Sequence, residues 1–299
     1  MNGTDVVNAD DVRPFRRTGF MSSPAMRRFR RHKLAVYGVA VILLMTLACV
    51  FGPMLLPYTD TFVDIRQRLV APFAGPHILG TDPLGRDILA RLLMAGRISL
   101  AVGFFAMIIS MAIGVCVGLV AGYFGGVVGA ALMRFVDAVL CFPSIFLLLA
   151  ISALISPSVP SIVMLIAMTS WMEVARIVEA QIRSLKTRDF AVAAASIGSS
   201  HTRIMFRELL PNAIAPIIVA ATLNVAHAIL AESYISFLGY GIQPPTPSWG
   251  NMLDNAQSYL TSAPWLAIIP GAAITLAVTS FNFVGDGLRD ALDPKIEIP

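Results

Sequence analysis

Catalytic or energy-converting chemistry requires residue patterns that this sequence does not contain. A phosphate-binding loop needs the pattern GxxxxGK[ST], in which backbone amides surround the phosphates and the lysine contacts them. None of the three lysines follows a glycine: Lys33, Lys186 and Lys295. HExxH and GxSxG patterns are also absent, and the three cysteines lie far apart in apolar stretches. We therefore expect a chain that is not an enzyme and that binds neither a metal nor a cofactor.

Four polar residues interrupt segments that are otherwise strongly apolar: Asn224, His227, Glu232 and Asn282. Asn224 and His227 are three residues apart, so a helix places them on neighbouring parts of one face. In a membrane such groups face a helix interface or a wet cavity rather than lipid. Two interpretations therefore stay open: these residues line a solute pathway, or they form hydrogen bonds between helices.

A charged pair occurs in another apolar segment. Arg134 and Asp137 are three residues apart, which suits a pair on one helix face. Because an isolated charge in the bilayer is costly, we predict a structural ion pair between them near the cytoplasmic end of their helix. A role in gating or substrate contact is the alternative.

Three glycines stand four residues apart at Gly114, Gly118 and Gly122. A GxxxGxxxG stripe removes side chains from one face of a helix and lets a second helix approach closely, and such packing holds helices together in lipid. The stripe predicts a tight helix–helix seam.

The composition indicates an integral membrane protein. Of 299 residues, 57% are hydrophobic and 13% are charged, against about 45–50% and about 25% in soluble domains. The mean hydropathy is +0.75. These values exclude a soluble enzyme, a disordered chain and a small disulfide-linked module.

The apolar runs predict six membrane-spanning helices. Open backbone is not tolerated in lipid, so the expected fold is all-α, a polytopic membrane protein with both termini on one side. The first run is longer than a signal peptide core and is expected to stay as an anchor. The predicted spans are about 34–56, 98–122, 128–154, 161–176, 213–231 and 264–284.

The distribution of Lys and Arg predicts the orientation. Sixteen of the 22 lie in the two termini and the long fourth loop, and five lie in the first loop, which favours a cytoplasmic location for the termini. The predicted organisation is a cytoplasmic tail (1–33) and a transmembrane domain (34–299) with periplasmic loops 57–97 and 236–263 and a cytoplasmic loop 177–212.

Within the first loop, Thr81 is followed by a proline and acidic residues, a pattern typical of a helix start. Apolar residues recur behind it at helical spacing, with arginines among them. We predict a short helix that lies on the outer surface of the membrane.

The 177–212 loop combines charges with an apolar patch over 190–197. Gly198 can end a helix there, and a second short helix is predicted from His201 to Leu209, ending at Leu210–Pro211. Two short helices folded at a glycine, with a small apolar face in a charged frame, suit docking into a groove of a partner protein.

These residues resemble a known family. The pattern Val192-Ala193-Ala194-x3-Gly198-x9-Glu208-x-Leu210-Pro211 is similar to the EAA motif of permease subunits of bacterial ABC importers. It departs from that motif where Val192 replaces a frequent Glu and where Glu208 replaces an aliphatic residue. The stretches beginning at Gly80, Ser236 and Phe281 are similar to the "C" permease of dipeptide and oligopeptide importers.

The resemblance implies a type I importer permease of the MetI-like fold in a bacterial inner membrane, forming half of a pathway for di- or oligopeptides. It implies a heterodimer with a homologous second permease, two cytoplasmic ATPase subunits that carry ATP and Mg²⁺, a periplasmic solute-binding protein, contact with membrane lipid, and no nucleic-acid partner. The residues that would couple to the ATPase are Ala193, Ala194, Ala195, Gly198, Leu210 and Pro211.

Alternatives remain within and outside this class. The same permease family also serves nickel, glutathione and other small solutes, and nothing in the sequence selects among them. An ion-driven secondary carrier or a channel is the alternative of another class. Such proteins often have broken helices with buried acids at a midplane site or inverted repeats, and no internal repeat is found here.

Overall fold

The computed structural model describes residues 24–254 and 256–292, and the interpretations of the N-terminal tail before residue 24 and of the C-terminal end lie outside these ranges. Over the described ranges the chain is all-α, as predicted, and an isolated bridge between Thr81 and Asp87 is the extent of β pairing. The helices are α1 Pro24–Arg31, α2 Lys33–Leu55, α3 Ile88–Phe124, α4 Gly126–Leu140, α5 Ser144–Ser152, α6 Val159–Lys186, α7 Asp189–Ser196, α8 His201–Arg203, α9 Leu210–Asn212, α10 Ile214–Phe237, α11 Trp249–Leu253 and α12 Trp265–Leu292. Two short 3₁₀ turns, Ile65–Gln67 and Ala256–Tyr259, lie between them.

Five of the described helices are long and apolar enough to cross a membrane: α2, α3, α6, α10 and α12. The count becomes six if α4 and α5 together form one span, but these two helices meet at 78°. The prediction of one continuous helix over 128–154 is therefore wrong, because the chain forms two helices there. Pro143 lies at the break as the N-cap of α5, and proline removes a backbone donor and disfavours helical geometry in the residue before it.

Helix α3 differs most from its prediction, because it has 37 residues and begins at Ile88. Asp87 is its N-cap and accepts a hydrogen bond from the Ala90 N–H at 2.7 Å, whereas the buried Thr81 hydroxyl donates to the Gln67 carbonyl. The residues of the predicted separate surface helix therefore form the N-terminal part of α3. At 1.5 Å per residue α3 is about 55 Å long, well beyond the ~30 Å hydrocarbon core.

The glycine stripe of α3 lies against α6. A Cβ at Gly114 would stand 2.7 Å from the Trp171 carbonyl oxygen, and a Cβ at Gly118 would stand 2.6 Å from that of Ala175. At Gly122 the corresponding distance to the Glu179 carbonyl oxygen is 2.8 Å. These atoms belong to backbone that no side-chain rotation can move, so the two helices approach this closely because the stripe has no side chains.

Helix α6 continues to Lys186, ten residues past its predicted end at 176. Its additional turns bury Val178 and Ile182 against the inner part of α3. Glu179 and Arg183, four residues apart, form an ion pair on the same turns. The charged residues of this stretch therefore do not end α6.

The predicted N-terminal tail is helical at its end, since α1 covers Pro24–Arg31. It packs beside the inner end of α12, where a Cβ at Gly287 would lie 3.3 Å from the Phe29 ring. His32 Nε2 lies 3.5 Å from Asp290 Oδ2. Helix α12 itself runs eight residues beyond its predicted end at 284.

Candidate coupling segment and polar cleft

Residues 189–212, here called the coupling segment, turn sharply at Gly198. The Ser199 N–H donates to the Ala194 carbonyl at 3.1 Å and the Gly198 N–H donates to the Ala195 carbonyl at 3.0 Å. These two bonds form a Schellman motif at the end of α7. Gly198 has φ +79°, and no atom lies within 4 Å of the position of a Cβ there. The glycine is therefore needed for its backbone conformation and not for lack of space.

Helix α7 has one face buried and one face exposed. Ala191 and Ala194 are buried in a cluster with the inner ends of α3 and α6. Ala193 and Ala195 point outward, beside Ile197, whose side chain is 83% exposed. Alanines on the inner face allow α7 to lie close to the membrane helices, while the outer face presents apolar surface to solvent.

The returning half of the coupling segment corrects the predicted end of the second short helix. The chain passes from α8 through a wide π-helical turn, Ile204–Leu209, and then through α9 almost directly into α10. Within the wide turn the Leu210 N–H donates to the Met205 carbonyl, five residues back. Pro211 sits in the first turn of α9, where its missing N–H is tolerated, so the helical path continues past Leu210–Pro211.

The six residues predicted to contact an ATPase do not share one environment. Ala194 is buried and Leu210 is partly buried against the same cluster, whereas Ala193, Ala195, Gly198 and Pro211 are exposed. Sequence reasoning missed Phe206, which is 55% exposed. In the sequence, Phe206 is an apolar residue among others at helical spacing, and nothing distinguishes it from its buried neighbours Met205 and Leu209.

Polar bonds attach the coupling segment to the membrane helices. The Tyr123 hydroxyl at the end of α3 lies 2.6 Å from His201 Nδ1. Lys186 at the end of α6 donates from Nζ to the Tyr123 carbonyl. Together with the buried alanines of α7, these contacts join the ends of α3 and α6 and the coupling segment into one packed unit.

A polar cleft of about 260 Å³ opens between α5, α6 and α10. Glu173 Oε2 lies 4.0 Å from His227 Nδ1, and the two side chains are 62% and 65% exposed. Asn224, also in the lining, accepts a hydrogen bond at Oδ1 from Ser110 Oγ at 2.8 Å. Glu173 lies fourteen residues into α6, about 21 Å along the helix and near the middle of its 28 residues.

Of the four residues predicted for a pathway, the structure brings only Asn224 and His227 together. Glu232 is fully buried and accepts hydrogen bonds from Ser99 Oγ at 2.9 Å and Ser236 Oγ at 2.7 Å. The same Ser99 oxygen accepts a hydrogen bond from the backbone N–H of Trp249 at 3.1 Å. Through Ser99, Glu232 therefore links the start of α11 to α3 and α10.

Asn282 is half-buried on α12 and does not line the cleft. Sequence reasoning missed Glu173 as a cleft residue, because it lies at the edge of the charged stretch that continues from Arg176. Glu173 lies three residues before Arg176, and only the observed end of α6 at Lys186 shows that both residues belong to the same long helix.

The predicted pairing of Arg134 with Asp137 is wrong. Asp137 Oδ1 lies 3.5 Å from the Arg176 guanidinium on α6, and within the described ranges Arg134 has no carboxylate within ion-pair distance. Helices α4 and α6 pack together through Val136 and Met172, so a cation on the facing helix reaches Asp137. The ion pair thus joins α4 to α6 instead of linking two residues of α4.

Comparison with known sequences identifies the family of this chain. The chain belongs to the family of binding-protein-dependent transport system inner membrane components, whose family model matches residues 114–298. The N-terminal transmembrane domain of oligopeptide transport permease C matches residues 23–76. The protein is therefore a multi-pass membrane permease subunit of an ABC importer, and its family implies ATPase and substrate-binding partners.

Individual relatives cover nearly the whole chain. A dipeptide transport system permease protein, DppC, of Alkalihalophilus pseudofirmus is 41% identical over 273 residues, which is 91% of this chain and 90% of the relative. A putative peptide permease protein of Brucella suis is 39% identical over 94% of this chain and 93% of its own length. The oligopeptide transport system permease protein OppC of Bacillus subtilis is 36% identical over 91% of this chain and 89% of its own.

Proposed function

We propose that the protein forms half of the pathway through which a bacterial ABC importer moves di- or oligopeptides across the cytoplasmic membrane. A homologous second permease supplies the other half, and a solute-binding protein delivers the peptide from outside. Two ATPase subunits on the inside bind ATP and Mg²⁺ and supply the energy. The peptide substrate is proposed because the relatives above are named as dipeptide, oligopeptide or peptide permeases.

The observation that carries the proposal is the exposed Glu173–His227 pair, which lies near the midpoints of the long apolar helices α6 and α10. A carboxylate at this depth is too costly to leave in lipid, so it must face water or protein. The cleft is open on one side in this chain. A second permease facing it would enclose a wet pathway, which is why we assign a half-pathway rather than a complete channel to one chain.

The coupling segment supports the mechanism. Its exposed apolar residues, Ile197 and Phe206 among them, suit a groove on an ATPase subunit. Its inner face is packed on the ends of α3 and α6. Movement of the ATPase subunits would therefore be passed to these helices as a rigid-body displacement that opens the cleft alternately to each side.

We also propose that both termini and the coupling segment lie in the cytoplasm, with the 57–87 and 238–264 loops outside. The Lys and Arg bias supports this orientation. The long helices α3 and α6 are consistent with it, since the inner end of each meets the coupling segment.

The test is uptake of a labelled dipeptide into proteoliposomes that contain this permease, its partner permease and the two ATPases, with the binding protein added outside. We expect uptake that requires internal ATP and every subunit. Transport by this chain alone, or uptake of nickel and not of peptide by the complete complex, would contradict the proposal.

A further inference from the structure

We infer that Glu173 binds the positively charged amino terminus of the peptide as it passes the cleft. The inference rests on the proposed function and adds to it the group that recognises one end of the substrate. Its starting point is that Glu173 has no strong partner within residues 24–254 and 256–292. His227 Nδ1 at 4.0 Å is its one ion-pair neighbour there, and no hydrogen bond satisfies its carboxylate.

Apart from His227, the polar residues that line the cleft with Glu173 are uncharged hydroxyl and amide groups. Thr169, one turn away on α6, donates its hydroxyl hydrogen to backbone carbonyls at 3.0 and 3.3 Å, so the lone pairs of its oxygen remain available. The nearest cationic side chain on the same helix, Arg176, is directed to Asp137 at 3.5 Å. A ligand for this site should therefore carry positive charge and several hydrogen-bond donors.

A peptide's terminal ammonium group meets both requirements, because it has one positive charge and three N–H donors and is small enough for a cleft of about 260 Å³. Loss of a hydrogen bond to a charged group corresponds to roughly a tenfold or larger change in the rate or affinity that depends on it.

The experiment compares a dipeptide with its N-acetylated form, each at a concentration that saturates the binding protein, as checked by equilibrium dialysis. The maximal ATP-dependent uptake rate is measured in proteoliposomes of the complete complex. We expect Glu173→Gln to slow the free-amine dipeptide about tenfold and to leave the slower acetylated dipeptide unchanged. Glu173→Asp, which keeps the carboxylate, should preserve much of the preference for the free amine.

The control is Asp286→Asn, which removes an exposed carboxylate near the inner end of α12 and should change neither rate. Subunit assembly and ATP hydrolysis stimulated by the loaded binding protein should be normal in Glu173→Gln. An equal slowing of both peptides, or a loss of assembly, would assign Glu173 to a cation of the second permease and overturn the inference. An unchanged preference for the free amine would also overturn it.

These outcomes differ from failure of the proposed function. In that case the wild-type complex would take up neither peptide in an ATP-dependent manner. The inference fails alone when the wild-type complex imports the dipeptide and Glu173→Gln imports both peptides like wild type.

Discussion

Substitution of Gly198 tests whether the turn of the coupling segment transmits the ATPase movement. Its φ of +79° lies in the left-handed region, and the two Schellman hydrogen bonds depend on that conformation. Within the described ranges, no atom outside the neighbouring residues lies within 4 Å of a Cβ at this position. The cost of a substitution inside the chain therefore comes from backbone conformation alone.

That cost can be ordered by residue type. The left-handed conformation costs an L-residue about 1–2 kcal/mol, while asparagine adopts it more readily than other residues. A Gly198→Val variant should populate the native turn roughly 5–30-fold less, given the effect of 1–2 kcal/mol on an equilibrium. Gly198→Asn, with a side chain of similar size to valine, should stay close to wild type.

The assay measures peptide uptake and ATP hydrolysis in the same proteoliposomes. We expect Gly198→Val to reduce the peptide imported per ATP while the complex still assembles, with Gly198→Ala between the valine and asparagine variants. If Gly198→Asn is as impaired as Gly198→Val while Gly198→Ala is normal, then side-chain bulk against the ATPase matters and the backbone argument is refuted.

Three further substitutions test the packing around these sites. Gly118→Ala places a Cβ 2.6 Å from a backbone oxygen of α6, and overpacking of about 1–3 kcal/mol should lower the melting temperature of the purified complex by several degrees. The matched control is Gly271→Ala, because no described atom lies within 4 Å of a Cβ there. An equal effect of both substitutions would contradict the close packing of α3 against α6. Ile197→Glu should abolish co-purification of the ATPase subunits without unfolding the permease, whereas Ile197→Val should retain them; retention by the glutamate variant would exclude this surface from docking. Asp87→Ala removes the N-cap of α3 and the contact with His77 at 2.8 Å. The loss should destabilise the protein by about 1–3 kcal/mol and lower its melting temperature. Asp87→Asn keeps a capping oxygen and should lower the melting temperature less; the reverse order would argue against the cap.

The sequence was sufficient for features that depend on local chemistry. The apolar runs predicted the membrane helices because lipid offers no partner for an unpaired backbone group. The glycine spacing of α3 predicted close packing, although not that α6 would be the partner. Gly198 was recognised as a helix end because glycine alone adopts its conformation without strain.

Helix ends and breaks were predicted less well. Charged residues at 176 and 183 suggested that α6 ends at the membrane surface, but the buried face of Val178 and Ile182 extends the helix beyond it. The break before α5 was missed because the surrounding residues are all apolar, and Pro143 was read as part of a continuous span.

What tertiary structure alone decided is which distant residues meet. The contact of Glu173 with His227 and that of Asp137 with Arg176 each join two different helices, and the packing of those helices is not encoded in the spacing along either one. Hydropathy and helical periodicity determine which segments enter the membrane, because each segment responds to lipid by itself. The polar cleft exists because several such segments pack side by side, and that arrangement depends on complementary surfaces distributed over the whole chain.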